Sequence, residues 1–369
     1  MSPIINTLVI RRFRALRFLS IEGLGRVNLI TGRNNTGKSS VLEALRILAS
    51  DGSPAVISRI LRYREEDTDD SDDGVRPPEA DSFSLSSLFS GFPSVARVGE
   101  PVLISAKAEG QSQNVSLSID RFAEQREPDG TRRLVPQQLS LLPDTDSLLA
   151  LVVEARIGRR ILPLDSFRRR RFYRGEWPES SVPCVFVSPY GSEHTNDLGT
   201  LWDKIALSDR EKDVVEALRI IAPSIMAVSM IGAEGPRSTR TAIARSGEIS
   251  RPVPLRSFGD GLNRLFAIIL SLVNARDGLL LIDEVENGLH YSVQLDVWRT
   301  VFRLSRLLDL QVFATSHSWD SVEAFQKAAN EDSERGVLIR LSRKGDDIIP
   351  TLFREDELAI VTRDHIEVR

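Results

Sequence analysis

Eight consecutive residues near the start of the chain constrain its fold more than any other feature. Residues 32–39, Gly-Arg-Asn-Asn-Thr-Gly-Lys-Ser, match the pattern G-x-x-x-x-G-K-[ST] at every fixed position. The stretch 26–31 before them, Arg-Val-Asn-Leu-Ile-Thr, predicts a strand that ends in a glycine turn, and the apolar residues at 41, 42, 45 and 48 have helical spacing. A strand, a glycine-containing loop and a helix in this order form a phosphate-binding unit. The sequence therefore predicts an α/β fold that binds a nucleoside triphosphate.

The residue types in this loop suit a chain of phosphates. Glycines let the loop wrap closely round the phosphates with backbone N–H groups pointing inward, and the helix that follows adds its positive N-terminal dipole. We expect Lys38 to reach the β- and γ-phosphates, and the hydroxyl of Ser39 to ligate Mg²⁺. The candidate ATP-binding residues are Gly32, Arg33, Asn34, Asn35, Thr36, Gly37, Lys38, Ser39 and Ser40.

A wholly apolar stretch in the C-terminal third ends in two acids. Residues 279–282 are Leu-Leu-Leu-Ile, and Asp283 and Glu284 follow them. Such a strand is typical of a parallel sheet buried on both faces, so its end can lie beside the phosphate loop. We expect Asp283 and Ser39 to hold Mg²⁺, and Glu284 to orient and polarise the attacking water. Glu286 is the next candidate for the base.

A second apolar strand, predicted at 311–314, also ends in polar groups. His317 follows it and is placed to sense the γ-phosphate, although a lone histidine is more often structural. The catalytic candidates are therefore Glu284 and His317, and the metal-binding candidates are Ser39 and Asp283.

The segment 257–264, Ser-Phe-Gly-Asp-Gly-Leu-Asn-Arg, precedes an apolar stretch predicted to be a helix. Its Ser, Gly and Asp suit a helix N-terminus, and a cap without a ligand is the plain alternative. A helix N-terminus with small residues is also a second potential anion site. Because one chain holds one γ-phosphate at its phosphate loop, we expect these residues to face the ATP of a second subunit. They are Ser257, Gly259, Asp260 and Gly261.

Alternating helical and strand patterns organise the rest of the chain. In the last third, helices at 260–274, 291–307 and 319–329 alternate with strands at 279–283, 311–314 and 337–341, which predicts a mostly parallel sheet. Before it, 198–221 predicts two helices that break at Ser208 and Asp209. We predict four parts: residues 1–50 and 250–369 as two halves of one head, 51–183 as an antiparallel β-rich region, and 184–249 as a helical lobe with strands.

Charge and composition set limits on the partners. The net charge of −4 gives no basic field over the whole chain. Residues 65–81 carry nine acids and one arginine, which predicts a solvated loop or a disordered insert. The run Arg168, Arg169, Arg170 and Arg171 is either a solvated surface or a patch for nucleic-acid backbone or an acidic protein.

Cysteine content and hydropathy indicate the cellular compartment of the protein. The single Cys184 excludes an internal disulfide framework and a multi-cysteine zinc site. No apolar run approaches the roughly 20 residues that a bilayer requires. The apolar stretch near the N-terminus precedes its arginines, the reverse of a secretion signal. We therefore predict a cytoplasmic protein without a membrane segment.

These motifs occur in the order of the ABC-type ATPase heads. Their details resemble the branch of the SMC and RecF-like proteins and the OLD (overcoming lysogenization defect) family. Residues 13–16, Phe-Arg-Ala-Leu, are similar to the FRxL opening of that branch, and residues 282–290 and 314–318 resemble the stand-alone OLD-like ATPases of antiphage defence. The resemblance covers residues 1–50 and 250–342.

The resemblance implies both a fold and a way of working. The expected fold is an ABC-type P-loop ATPase head with a mostly parallel core sheet, a β-rich N-terminal region and a helical insertion. The expected activity is ATP hydrolysis with Mg²⁺ by a homodimer, or a higher assembly, that closes head to head around ATP. The expected partner is a separately encoded effector protein.

The sequence also allows other functions. A RecF-like ATPase of DNA repair or recombination, whose main task is DNA binding, is the alternative. A transporter subunit is weaker, because the segment 257–261 departs from the transporter signature and lies too far from Lys38. A GTPase is disfavoured because no N-K-x-D motif is present.

A nuclease domain is not expected. OLD-type proteins often carry a TOPRIM nuclease after the ATPase, and too few residues follow His317 for one. Asp346 and Asp347 are predicted to lie in a turn between strands 337–343 and 348–353, and the acids at 355–357 in the first turn of a helix. We therefore expect that this chain does not cut nucleic acid itself.

Overall fold

A computed structural model gives the architecture of the chain. It describes residues 3–66, 85–93, 99–108, 110–126, 132–136, 147–164, 177–178, 182–189, 195–219, 222–232, 240–332, 336–354 and 357. The described helices are α1 (Lys38–Ala49), α2 (Pro54–Tyr63), α3 (Thr195–Asp203), α4 (Asp209–Arg219), α5 (Asp260–Asn274), α6 (Tyr291–Leu307) and α7 (Trp319–Glu331). None of these described helices has the length and apolar character needed to span a membrane.

The described strands form three sheets. In chain order they are β1 (Thr7–Phe13), β2 (Leu16–Glu22), β3 (Val27–Thr31), β4 (Val102–Ala108), β5 (Gln111–Arg126), β6 (Arg132–Pro136), β7 (Ser147–Ala155), β8 (Gly158–Pro163), β9 (Cys184–Val187), β10 (Ile225–Gly232), β11 (Arg240–Ser246), β12 (Val253–Pro254), β13 (Leu279–Ile282), β14 (Gln311–Thr315), β15 (Gly336–Lys344) and β16 (Asp347–Phe353).

A six-stranded sheet in the order β16-β15-β3-β14-β13-β9 organises the candidate site. All its neighbouring strands are parallel except β16, which pairs antiparallel with β15. Every residue of β3, β13 and β14 is buried, as expected of strands covered on both faces. Because β3, β14 and β13 are parallel neighbours, the residues that follow them meet at one edge of the sheet.

The two faces of this sheet belong to two hydrophobic cores, since alternate side chains of a strand point to opposite faces. Leu280 and Ile282 of β13 pack into the core formed with α5, α6 and α7. Leu279 and Leu281 pack into the other core, with α1 and an antiparallel sheet. The helix after the phosphate loop therefore lies between the two sheets.

The antiparallel sheet has the order β2-β1-β4-β5-β7-β8, and β6 pairs with β5. It confirms the β-rich region, but its strands come from both sides of residue 50, so the predicted limit there crosses the sheet. Phe13 pairs with Leu16, which makes Arg14 and Ala15 the turn between β1 and β2. Arg14 has a positive φ of 52° in this turn.

The helical lobe agrees with its prediction. The break at Ser208 and Asp209 is confirmed, because α4 begins at Asp209 and carries Asp209 and Glu211 in its first turn. The strands β10, β11 and β12 form a small antiparallel sheet after this lobe. A short 3-10 helix, Leu255–Phe258, then leads into α5.

One segment differs from its prediction. Residues 54–63 were assigned to the β-rich region and instead form α2. Pro54 occupies the first turn, where a missing N–H costs nothing, and Ile57, Ile60 and Leu61 form one buried face. Packing of that face against the core of α1 and the antiparallel sheet stabilises the helix.

The hairpin near the C-terminus has its turn where the sequence predicts it. Gly345 and Asp346 form the turn between β15 and β16, as expected, with Asp347 as the first residue of β16. Of the helix predicted from residue 355, only residue 357 is described.

Cys184 begins β9, and burial raises the pKa of its thiol to about 12.

Candidate functional site

The phosphate loop, residues 32–39, connects the end of β3 to the start of α1. Gly32 and Gly37 have φ values of 143° and 82°, which side chains with a Cβ rarely adopt. A Cβ on Gly32 would lie 2.4 Å from the carbonyl oxygen of Leu341, and one on Gly37 would lie 2.7 Å from Leu16 Cδ2. Both positions therefore require glycine.

Lys38 spans this loop. Its Nζ donates to the carbonyl oxygens of Gly32 at 2.6 Å and Arg33 at 3.1 Å. Burial lowers the pKa of Lys38, and the charges of Asp283 and Glu284 oppose that shift. The remaining loop candidates divide by exposure: Arg33, Asn34 and Asn35 are exposed, whereas Thr36 and Ser40 are buried.

Asp283 joins the loop to the end of β13. Its side chain is buried, and its Oδ1 accepts hydrogen bonds from Ser39 Oγ at 3.1 Å and Thr315 Oγ1 at 2.5 Å. The structure thus brings the two metal-binding candidates into contact. A hydroxyl and a carboxylate are hard oxygen donors of the kind that Mg²⁺ prefers, so these residues fit that ion.

Glu284 points its carboxylate to a more open position than Asp283 does. Its φ of 47° turns the chain sharply at the end of the strand, and its N–H donates to Thr315 Oγ1 at 2.8 Å. The side chain is 38% exposed, which leaves room for water beside it. Partial burial raises the pKa of Glu284, the nearby His317 lowers it, and Asp283 raises it further.

His317 lies beside two carboxylates. Its Nδ1 is 3.9 Å from Glu284 Oε1 and 3.3 Å from Glu286 Oε1. The same oxygen of Glu286 accepts the backbone N–H groups of His317 at 2.9 Å and Ser318 at 3.2 Å. The strand ends of β13 and β14 are therefore tied together through Glu286 as well as through Thr315.

The four signature residues lie at the start of α5. Ser257 is exposed within the 3-10 helix, and among the described residues no atom beyond the chain neighbours lies within 4 Å of a Cβ placed on Gly259. Asp260 begins α5, and its side chain lies outside the described part of the chain. A Cβ on Gly261 would lie 3.4 Å from the carbonyl oxygen of Gly288, which follows the acids of β13. Ser257 and Gly259 are thus accessible to another molecule.

Arg264 is a residue of this site that the sequence did not identify. It is buried one turn into α5, and it donates to the carbonyl oxygens of Ser188, Asp283 at 3.1 Å and Glu284 at 3.2 Å. Burial lowers the pKa of Arg264 to about 10. The single basic residue in a mostly apolar helix was the available signal, and its partners are distant in sequence.

The FRxL resemblance pointed to Arg14 without naming its partner. Arg14 is buried, its Nε lies 2.5 Å from Glu43 Oε2, and its Nη1 lies 2.8 Å from Glu66 Oε1. Arg64 Nε lies 2.7 Å from Glu43 Oε1. We call Arg14, Glu43, Arg64 and Glu66 the buried ion cluster after its central pair, Arg14 and Glu43, which is buried, whereas Arg64 and Glu66 are partly exposed. Glu66 shows that the acidic stretch 65–81 is not solvated throughout, because its carboxylate packs against Arg14 and Ser87.

The structure thus assembles most of the predicted residues at one sheet edge: Lys38, Ser39, Asp283, Glu284 and His317. Two predicted features lie outside the described residues, namely the run Arg168, Arg169, Arg170 and Arg171, and the acidic stretch beyond Glu66. Asp346, considered for a nuclease cluster, pairs with Arg17 at 3.0 Å in the β15–β16 turn.

Known proteins match this chain over most of its length. The family AAA_21, described as AAA domain, putative AbiEii toxin, Type IV TA system, matches residues 27–322. A Helicobacter pylori protein named ATP/GTP phosphatase is 23% identical over 380 residues, an alignment that covers 96% of each chain. An uncharacterized protein of Methanocaldococcus jannaschii is 50% identical over 46 residues, which are 12% of this chain and 21% of that protein.

Among solved structures, the chain is similar to an SMC head bound to the C-terminal winged-helix domain of ScpA. The TM-score is 0.50 at 12% sequence identity, with 97% of this chain and all of that chain covered. This likeness agrees with the α/β head architecture that the motifs predict.

Proposed function

This chain belongs to the AAA_21 family and has the fold of an ABC-type P-loop ATPase head, and from that premise we propose that it binds ATP with Mg²⁺ and hydrolyses it to ADP and phosphate. The contact between Ser39 Oγ and Asp283 Oδ1 carries the proposal. These residues are 244 positions apart in the chain, and they meet where the loop cradle and the acidic strand end adjoin. Such a meeting of loop hydroxyl and strand-end carboxylate suits Mg²⁺-assisted phosphoryl transfer.

The residues divide the work of hydrolysis between them. The N–H groups of the loop and the ammonium of Lys38 neutralise charge on the β- and γ-phosphates. Glu284 accepts the proton of the water that attacks the γ-phosphorus, while the bond from that phosphorus to the bridging oxygen breaks and ADP leaves. Its partly open carboxylate supports that role better than the buried Asp283 does. His317 approaches from β14, where it can contact the γ-phosphate.

Ser39 and Asp283 are the residues that would hold Mg²⁺. Bound there, Mg²⁺ supplies positive charge to the phosphate oxygens. Thr315 and Arg264 keep the Asp283 end of β13 in place for this purpose, through its side chain and its carbonyl group respectively.

The experiment that tests hydrolysis compares two variants of the site with one control. Lys38→Ala should lose nucleotide binding, because no other lysine lies in the loop, measured with a fluorescent ATP analogue. Glu284→Gln should keep binding and lower kcat by about 100-fold or more, because the water loses its base. Lys327→Ala, on an exposed surface pair, is the control. Native ATPase activity in Lys38→Ala would remove the loop from the mechanism.

The nucleotide class is part of the same proposal. The name of the Helicobacter pylori relative includes both ATP and GTP. We favour ATP for this chain because it has no N-K-x-D motif for reading guanine. Competition of unlabelled ATP and GTP against the bound analogue measures the preference, and tighter binding of GTP would contradict it.

We further propose that two copies close head to head around ATP. The exposed Ser257 and Gly259 at the start of α5 support this arrangement, since they are accessible to the nucleotide of a second chain. The motif resemblance to SMC, RecF-like and OLD-like heads supports it as well.

The proposed cellular role is regulation of a separate effector, in antiphage defence. The support is the resemblance of residues 282–290 and 314–318 to OLD-like ATPases. The roles proposed above for the described site residues all concern ATP hydrolysis. The family description includes a putative toxin, which gives a direct test. Expression of this chain alone should leave growth unchanged, whereas coexpression with the product of a neighbouring gene should restrict phage. Growth arrest by this chain alone, lost in Lys38→Ala, would contradict the regulator role.

A further inference from the structure

Glu286 occupies an unusual position between the two strand ends. It lies in the turn after β13, three residues beyond Asp283, and its side chain is only 9% exposed. Its Oε1 accepts two backbone N–H groups, from His317 and Ser318, which follow β14. A buried carboxylate with two main-chain donors is fixed in orientation. Glu286 therefore holds the segment that carries His317 at a set distance from the acids of β13.

The same oxygen also faces the imidazole. Nδ1 of His317 is 3.3 Å from Glu286 Oε1, and the His317 side chain is 53% exposed. A histidine whose Nδ1 donates to a carboxylate presents Nε2 as its outward nitrogen, and that contact fixes the rotation of the ring. Glu286 is thus placed to decide which nitrogen of His317 reaches the nucleotide.

We propose that Glu286 is the positioning residue of His317: its carboxylate holds the backbone of the His317 segment and the Nδ1 side of the ring, so that Nε2 faces the γ-phosphate. This rests on the proposed function. Glu286 is not the base, because its contacting oxygen is committed to backbone N–H groups and its side chain is nearly buried, whereas Glu284 is open.

A simpler role has to be separated from this one. Glu286 lies near the N-terminus of α7, where any negative charge stabilises a helix. Asp320 in the first turn of α7 provides the matched control, because it is an exposed acid on the same helix end. Asp320→Asn removes a comparable charge without touching the Glu286–His317 contact, so it should leave both kcat and the His317 ring unchanged.

The first readout does not require activity. Protein labelled with ¹⁵N at histidine has four imidazoles, and His317→Ala identifies the His317 signals in ¹H–¹⁵N spectra. The native protein should show His317 protonated at Nδ1. Glu286→Ala should shift the ring toward Nε2 protonation, while Glu286→Gln keeps an oxygen for the same donors and should retain the native signals. Unchanged His317 signals in Glu286→Ala would overturn the proposal.

The second readout is kinetic. Glu286→Ala should lower kcat by about 10- to 100-fold with little change in KM, as does loss of other groups that orient a histidine. Glu286→Gln should recover most of kcat. The double variant Glu286→Ala/His317→Ala should be no slower than His317→Ala, because both changes remove one function.

The possible outcomes distinguish the positioning role of Glu286 from the catalytic role of His317. Multiplicative losses in the double variant, or a Glu286→Gln variant as slow as Glu286→Ala, would show that Glu286 acts other than by positioning His317. If His317→Ala hydrolyses ATP at the native rate, the proposed catalytic role of His317 fails. The spectra then decide independently whether Glu286 orients the ring.

Discussion

At the residue scale, Thr315 arranges both acids of the site. Its Oγ1 donates to Asp283 Oδ1 and accepts the N–H of Glu284, so one hydroxyl links β14 to two consecutive residues after β13. This connection explains how neighbouring acids take different positions, one buried against Ser39 and the other open to water. The roles proposed for Asp283 and Glu284 depend on that difference.

Replacing Thr315 tests this arrangement. Thr315→Val keeps the shape but leaves Asp283 and the Glu284 N–H without their shared partner, and we expect a loss of about 1–3 kcal/mol in unfolding free energy. Urea denaturation measures it, and kcat should fall in parallel. Thr315→Ser retains the hydroxyl and should behave like the native protein. Equal stability of the valine and serine variants would contradict the role of the hydroxyl.

The sequence predicted the acids and the histidine but not the residues that hold them. Asp283, Glu284 and His317 each follow an apolar strand, and that local pattern is visible in one short window. The contacts of Thr315 and Arg264 join residues that lie far apart in the chain, and no local pattern encodes such a pairing. Glu286 was the next candidate for the base, and its carboxylate accepts backbone N–H groups of two residues that follow β14.

At the element scale, α1 carries more than the end of the phosphate loop. Glu43 lies on its buried face and pairs with Arg14 from the β1–β2 turn and Arg64 after α2. The buried ion cluster therefore fixes three elements against one another beside the loop.

The strands of the parallel sheet and the helices that connect them were predictable from the sequence, because their apolar patterns are regular. The helix α2 was not, because its short apolar face directly precedes the acidic stretch.

Removing Glu43 should expose the dependence of these elements on the cluster. Glu43→Ala leaves the buried guanidinium of Arg14 without its closest partner, and we expect a loss of about 3–5 kcal/mol. Thermal and urea unfolding measure it. Glu323→Ala, which breaks an exposed pair with Lys327 in α7, should cost at most about 0.5 kcal/mol. Similar losses in the two variants would contradict a buried, mutually dependent cluster.

At the scale of the whole molecule, α5 connects two surfaces. Its N-terminus is the exposed signature, Arg264 binds the carbonyl groups at the end of β13, and Gly261 lies close to Gly288 in the turn that follows. The surface proposed to meet a second nucleotide is therefore packed directly on the segment that carries the first chain's acids. Rigid packing of this kind transmits displacement from one site to the other.

Ser257→Arg tests whether the signature acts between chains. We expect the variant to bind ATP normally, because its own loop is intact, and to fail to dimerise, because a large side chain fills the exposed position. Light scattering with ATP measures dimerisation, with Glu284→Gln as the background that slows hydrolysis. Arg303→Ala on an exposed face of α6 is the control. Full ATP-dependent dimerisation of Ser257→Arg would refute action between chains.

The thiol at the start of β9 makes the chain a natural background for site-specific labels. Maleimides react with the thiolate, and partial burial, which raises the pKa of Cys184, slows their reaction with this thiol. Since the chain has no other cysteine, we expect a thiol introduced on an exposed helix to react faster than Cys184 and to carry most of the dye. Donor- and acceptor-labelled copies can then be mixed, and energy transfer between them on addition of ATP measures whether two copies close as proposed.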